Sequence, residues 1–196
     1  MKTLLVVQAR TGSSRLPGKV LLPVAGAPVL LRQLERVLAA RSRFDLVVAT
    51  TDRPEDDALA EHARRFGVRV FRGHPTDLLD RHYRAAQAAR ADVVVKVPSD
   101  CPLIDPGAID RVLEAFRAQP GRYDFVSNLH PPSWPDGNDV EVLTFRALDE
   151  AWRQADTLQG GFERVSKFPM APHLEALLDA YVRERDPRLG EFLTLT

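Results

Sequence analysis

Cysteine is nearly absent. Cys101 stands alone among 196 residues, which excludes a disulfide framework and fits a reducing compartment. Lysine is scarce too, confined to Lys2, Lys19, Lys96 and Lys167, and that bias toward arginine carries no functional reading. An excess of either charge is missing, with 27 basic residues against 27 acidic ones. A protein that coats a polyanion or wraps a duplex is therefore not expected, and any phosphate must be held locally. Long apolar runs are missing as well. The apolar start Leu4 to Val7 is broken by Gln8 and Arg10, too short for a signal-peptide core or a membrane span. These absences point to a cytoplasmic protein with no nucleic-acid or membrane partner, and no internal repeat or low-complexity tract interrupts it.

What is present is 44% apolar residues, enough to fill the core of one domain at this length. Thr3 to Val7 reads as a buried strand that stops at a turn-rich loop, and Leu30, Leu31, Leu34, Val37 and Leu38 recur at helical spacing after Pro28. A second strand over Phe44 to Ala49 follows. Pro54 with Glu55, Asp56 and Asp57 resembles a helix first turn, acids toward the positive dipole end, with the helix running through Arg65. Val68 to Phe71, Thr76 to Arg90 and the valine-rich Asp92 to Val97 add a strand, a helix and a strand, and another helix starts at Asp105-Pro106. Such alternation predicts an α/β fold, a Rossmann-like doubly wound, mostly parallel sheet with right-handed crossovers. After about residue 123 the rhythm changes. Asp124 to Ser127 and Asp139 to Thr144 read as strands around a proline-rich loop, a mixed or antiparallel insertion. Two helices, about Ala147 to Ala155 and His173 to Arg185, close the chain.

In an open α/β sheet ligands bind beyond the carboxyl ends of the strands, and the loop after the first strand runs from Ala9 to Lys19. Gly12 allows close backbone approach to an anion, Ser13 and Ser14 add hydroxyls, and Arg10, Arg15 and Lys19 bring positive charge. An ordinary solvated basic turn is the alternative. Three cations, two serines and two glycines in so short a stretch after a buried strand favour an anion site. It is not a Walker A loop. Five residues separate Gly12 from Gly18, Val20 follows Lys19, Pro17 removes an amide, and Val20 to Pro23 does not read as a helix start. No G-x-G-x-x-G is present either.

The segment Gln8-Ala9-Arg10-x-Gly12-Ser13-x-Arg15-Leu16-Pro17-Gly18-Lys19 resembles the signature of the cytidylyltransferase family, which includes CMP-sialic acid and CMP-3-deoxy-octulosonate synthetases. The chain is most similar to its spore-coat polysaccharide biosynthesis branch. Further resemblances are Val48 to Asp52, Phe71-Arg72-Gly73 with Asp77-x-Leu79-Asp80-Arg81, Asp100 to Pro106, Asp124 to Asn128, and Pro135-Asp136-Gly137-x-Asp139-Val140-Glu141-Val142. They run in the family's order to about Trp152. The resemblance implies a single glycosyltransferase-A-like nucleotidyltransferase domain over 1–196, its nucleotide-binding part about 1–120 and its acceptor side about 121–196. It implies CTP as the nucleoside triphosphate, a sugar-like acceptor and a Mg²⁺ cofactor, and it leaves a homodimer open.

Asp100 falls just past the carboxyl end of the valine-rich strand, where a Mg²⁺ that takes one or two carboxylates plus phosphate oxygens belongs; a turn or cap residue is the plainer alternative. The resemblance marks Asp100 as the metal aspartate. Asp139 is the second candidate, with Asp136 and Glu141 as rivals. The expected chemistry is in-line attack of an acceptor hydroxyl on the α-phosphate, with Lys19 and Mg²⁺ offsetting charge there and Arg10 and Arg15 holding the outer phosphates. The resemblance also places Asp52, Arg72, Asp80 and Arg81 beside the nucleotide, although Asp77 with Arg81 and Asp80 with Arg84 equally read as i,i+4 pairs on a solvated helix face. Cys101 reads as a small buried residue rather than a nucleophile, and the histidines His62, His74, His82, His130 and His173 show no metal-ligand spacing. His130 and Trp134 either wall the acceptor site or pack the loop.

The tail departs from the family. An Arg-Glu-His-Val-Thr-Pro stretch is expected beyond Trp152, and Glu163-Arg164-Val165-Ser166-Lys167-Phe168-Pro169 stands there without the histidine. Leu174 to Leu178 reads as a remnant of the final helix. Two further readings therefore stay open: a nucleotide-binding protein that has lost transfer, and a sugar transferase of similar fold that consumes a finished nucleotide sugar.

Overall fold

The structure, a computed structural model, describes residues 1–13, 16–129, 134–159 and 193–194. The chain opens with β1 (Thr3–Gln8), whose first five residues are buried, and passes through the loop to a 3-10 turn over Lys19–Leu21. Neither that turn nor the hairpin after it, β2 (Pro23–Val24) and β3 (Ala27–Pro28), is expected from the residue pattern. Ala25 and Gly26, both at positive φ, make the two-residue connection that such a tight hairpin requires. Then come α1 (Val29–Leu38), β4 (Asp45–Thr51), α2 (Asp57–Arg65), β5 (Arg69–Gly73), α3 (Leu78–Ala89), β6 (Val93–Pro98), α4 (Pro106–Ala118), β7 (Phe125–Ser127), β8 (Glu141–Thr144), α5 (Phe145–Gln159) and β9 (Leu193–Thr194).

The main sheet runs β5-β4-β1-β6-β8-β7-β9. Its first four strands are parallel, and β8 pairs antiparallel with both β6 and β7. The expected doubly wound α/β fold with a mixed continuation after residue 123 is thus what the chain adopts. Strand alternation sends Leu5, Val7, Val48 and Val95 against α1, α2 and α4, and Leu4, Val6, Val47 and Val94 against α3 and α5. Strands covered on both faces need the unbroken aliphatic runs the sequence shows.

Helix starts explain where expected boundaries moved. Asp77 caps α3 by accepting from the Asp80 amide at 2.9 Å, so the helix begins after it rather than at Thr76. Pro54, Glu55 and Asp56 form a separate 3-10 turn ahead of α2. Asp105 caps α4 through the Gly107 amide at 2.8 Å, with Pro106 at the first helical position. The closing helix expected over His173 to Arg185, and the stretches Glu163 to Pro169 and Leu174 to Leu178, lie outside the described residues.

Candidate active site

β1 leads through α1 to β4 and on to β5 on one side, and the chain then returns by α3 to place β6 on the other side of β1. The direction of winding reverses between β1 and β6, and beyond their carboxyl ends lies the crevice where open α/β sheets bind ligands. Two loops meet there, 9–19 after β1 and 99–105 after β6. Because β8 runs antiparallel to β6, with Lys96 opposite Glu141, residues 134–140 arrive at the same edge.

Thr11 organises the first loop. Its carbonyl accepts from the amides of both Ser13 and Gly18 at 2.8 Å, drawing the end of the loop back to its beginning. Gly18 sits at φ 70, a left-handed conformation that costs other residues about 1–2 kcal/mol. Ala9 is buried, its amide continuing the sheet to the Ala49 carbonyl at 3.0 Å. Among the described residues a Cβ on Gly12 would meet nothing within 4 Å, which leaves room there for an approaching anion. The half-buried Ser13 receives the Leu16 amide on its hydroxyl at 3.4 Å. Ser14 and Arg15 lie outside the described residues.

Lys19 joins the two loops: its ammonium lies 2.6 Å from the Asp100 carboxylate, with both side chains partly exposed. α1 holds the second loop from behind, Gln33 donating to the Pro98 carbonyl and Arg36 to that of Ile104 at 2.9 Å. Across from it, Asn138 accepts from the Asp105 amide at 2.8 Å, tying the two walls together. Asn128 uses its amide side chain to pair with the backbone of Asn138 and Val140 at 2.8 and 2.9 Å, which fixes Asp139 between them. Asn128 closes a segment that carries the family resemblance, with no role read for it, and Asn138 reads in the sequence as a turn residue.

The walls enclose a cleft of about 520 Å³ lined by Asp100, Cys101, Pro102, Leu103, Asp136, Gly137, Asn138 and Asp139. Burial, then Asp100, Asp139 and Asp136, push the Cys101 thiol up to about 12, so it is a protonated, buried group and not a nucleophile. Three carboxylates against one lysine make the cleft acidic, and hard oxygen donors suit Mg²⁺. Among the described residues no set of three or more His, Cys, Asp or Glu converges tightly enough to hold a metal by itself. The arrangement fits a magnesium that shares its coordination with phosphate, for which one or two carboxylates suffice.

Arg81 is brought to the first loop and is only 1% exposed. Burial and the neighbouring charge of Arg10 pull its guanidinium down to about 10, with Asp56, Asp77 and Asp80 opposing. It stays charged at neutral pH, donates to the His74 carbonyl, and leaves its buried Nε without a hydrogen-bond partner among the described residues. The i,i+4 reading of a solvated face does not hold for Arg81. Its stem packs on Gly73, where a Cβ would also come 2.8 Å from the Phe71 ring. Asp80 does pair with Arg84, at 3.2 Å, and also accepts from the Trp152 indole at 2.9 Å, within a stack of Tyr83 and Trp152 whose centroids lie 4.3 Å apart. Asp52 is exposed, its amide bonded to the Gly73 carbonyl at 2.9 Å. Arg72 directs its nitrogens at the turn after β4, to the carbonyls of Thr51 and Arg53 at 2.8 and 2.6 Å and to Asp57. Trp134 packs against the core with Arg111 5.2 Å above its ring, the loop-packing alternative; His130 is outside the described residues.

The model of the cytidylyltransferase family matches residues 4–187. The chain belongs to that family. Among its relatives, the spore coat polysaccharide biosynthesis protein SpsF of Bacillus subtilis is 36% identical over 165 residues, which cover 79% of this chain and 68% of SpsF. The structure of a cytidylyltransferase from Leptospira borgpetersenii superposes with a TM-score of 0.80 at 32% identity, over 98% of this chain and 75% of that one. A CMP:2-keto-3-deoxy-manno-octonic acid synthetase complexed with CTP shares the fold, with a TM-score of 0.66 at 20% identity over 94% of this chain and 100% of that one. This cytidylyltransferase-family chain spans 62%, 68% and 52% of the length of three curated relatives it matches. Among its described residues no helix is long and apolar enough to cross a membrane.

Proposed function

We propose that this chain carries out Mg²⁺-dependent transfer of a CMP group from CTP to a hydroxyl of a sugar or sugar-acid acceptor, with release of pyrophosphate, in the supply of polysaccharide precursors. The observation that carries it is the Lys19–Asp100 pair at 2.6 Å, which supports reading Lys19 as a phosphate ligand and Asp100 as a metal ligand at the switch point of a cytidylyltransferase fold. The acceptor oxygen attacks the α-phosphorus, the bond from that phosphorus to the bridging oxygen breaks, and the hydroxyl proton is lost to solvent.

The residues divide the work by charge. Lys19 and Arg10 lie where negative charge on the triphosphate must be offset, with Arg15 and Ser14 assigned to the same loop from the sequence, while the open backbone at Gly12 and the Ser13 hydroxyl supply donors. Asp100 and Asp139 would hold the Mg²⁺, which when bound neutralises phosphate charge. Arg81 is buried within reach of the Arg10 charge, which a bound anion would offset. The cleft beside Leu103 and Asp136 is the acceptor side. A single buried cysteine fits work in the reducing cytoplasm.

The test is pyrophosphate release from CTP, with ATP, GTP and UTP alongside, across a panel of keto- and amino-sugar acids with and without Mg²⁺. Release that needs CTP, metal and one acceptor supports the proposal. CTP binding without release across the panel assigns a binding-only role, and consumption of a nucleotide sugar without pyrophosphate assigns a sugar transferase.

A further inference from the structure

We infer that Asp56, in the turn after β4, is the positioning residue that sets the shape of the nucleotide loop. The inference rests on the reading that this loop holds a triphosphate. Asp56 reads in the sequence as one acid of a helix first turn, where acids ordinarily face solvent and the helix dipole. Instead it is 2% exposed and precedes α2 in a separate turn. Its Oδ1 accepts from the Thr11 amide at 2.7 Å and from the Thr11 hydroxyl at 2.6 Å, and its Oδ2 accepts from the Thr51 hydroxyl. Burial pushes the carboxyl up, and the bonds from Thr11 and Thr51 more than offset it, so the group stays ionised well below neutral pH.

Thr11 is thereby held through both of the peptide groups that flank it. Its donors go to Asp56, and its carbonyl accepts the Ser13 and Gly18 amides that close the loop. Gly18 in turn delivers Lys19, whose ammonium meets Asp100. One buried carboxylate thus anchors a chain of contacts that ends at the proposed phosphate-binding lysine, 37 positions earlier in the sequence than its anchor. The turn carrying Asp56 is itself braced by Arg72, through the carbonyls of Thr51 and Arg53 and the Asp57 carboxylate. Asp56 also supports the charged form of buried Arg81, so its charge serves the loop and the arginine facing it. A loop fixed in the free protein loses less conformational entropy when ligand binds.

The experiment compares the wild-type chain with Asp56→Asn, Asp56→Ala, Thr11→Val and the Asp56→Ala/Thr11→Val double variant. Hydrogen exchange of the Thr11, Ser13 and Gly18 amides without ligand, and the Kd for CTP with Mg²⁺, are both measured. Loss of a charge-assisted bond at a buried acceptor is worth about tenfold or more in either quantity. In Asp56→Ala the three loop amides exchange about tenfold faster while those of β1 do not change, and the CTP Kd rises by about tenfold. Asp56→Asn, which keeps an oxygen for the Thr11 amide, recovers part of both. The double variant is no worse than Asp56→Ala, because Asp56 acts through Thr11. Unchanged loop exchange in Asp56→Ala overturns the inference without reference to any ligand, and so does a double variant whose losses multiply. Should the exchange change as expected while the wild-type chain binds no nucleoside triphosphate, the anchor stands and the functional reading falls.

Discussion

Replacing Lys19 with methionine separates what this lysine does for the fold from what it does for a ligand. The Lys19–Asp100 pair is short but its side chains are 28% and 48% exposed, and ion pairs in water contribute only about 0.2–1 kcal/mol. Methionine keeps most of the aliphatic stem, so the cost to the free protein should stay below about 1 kcal/mol, or about 2–4 °C in Tm for a chain of this size. A lysine on phosphate is a charge-assisted contact worth about 1.5–3 kcal/mol, so the CTP Kd should rise by about 10- to 150-fold. Thermal melts with and without CTP and Mg²⁺ read both numbers, since a ligand raises Tm according to its concentration over Kd. The expected result is a small change in the free protein and a collapse of the CTP-induced shift. A free-protein Tm lowered by more than about 8 °C with CTP stabilisation intact would refute the site, because Lys19 would then be a strut between two loops.

Other outcomes follow from buried charge. Lys96 and Glu141 form a cross-strand pair between β6 and β8, with side chains 5% and 2% exposed. Glu141→Gln leaves the ammonium uncompensated and should destabilise by about 3–5 kcal/mol, whereas Lys96→Met with Glu141→Leu should be near neutral; urea unfolding measures both. Asp110 is buried and accepts from the Arg41 and Ser42 amides at 3.1 and 2.7 Å, and against the upward push of burial these bonds lower its pKa, as happens at Asp56. Both carboxyls therefore stabilise the fold fully at about pH 5 and above, and that stability is lost as pH falls through their lowered folded values. In Asp110→Asn the unfolding free energy should vary less between about pH 5 and pH 2 than in wild type. Cys101, its thiol pushed up to about 12, should resist a disulfide reagent at pH 8 until the chain is unfolded in denaturant.

Periodicity and punctuation were enough for the order of elements because the sheet is covered on both faces: runs such as Val93 to Val95 and Leu4 to Val7 have no solvated side to obscure them. The same reasoning could not supply the β2–β3 hairpin. Its strands are two residues each, and its turn rests on Ala25 in a conformation alanine rarely adopts. Local patterns located the loop after β1 and the Asp100 and Asp139 segments, since each follows or precedes a strand at the edge where ligands bind. What holds these segments to one another was not legible. Asp56 to Thr11, Gln33 to Pro98 and Asn138 to Asp105 are pairs 45, 65 and 33 residues apart, and an acid, a glutamine or an asparagine looks the same in sequence whether it faces water or a buried amide.

Arg72, Asp80 and Arg81 show how the two kinds of information combine. Motif resemblance groups them as one nucleotide-binding set, yet the structure assigns their contacts to three places. Arg72 grips the turn that carries Asp56, Asp80 faces Trp152 and Arg84, and Arg81 is buried beside Arg10 with an Nε that has no partner among the described residues. A guanidinium buried next to a like charge is costly unless an anion or a carboxylate answers it. Asp56, Asp77 and Asp80 answer in part. Burial and the repulsion from Arg10 still outweigh them. Of the three, Arg81 is therefore the one whose removal should weaken triphosphate binding directly, with Arg72 acting through the loop and Asp80 through the packing of α3 on α5. The order is tested by CTP titration of Arg81→Met, Arg72→Met and Asp80→Asn, each scored against its own change in Tm. If Asp80→Asn loses CTP at unchanged Tm while Arg81→Met does not, the assignment is reversed.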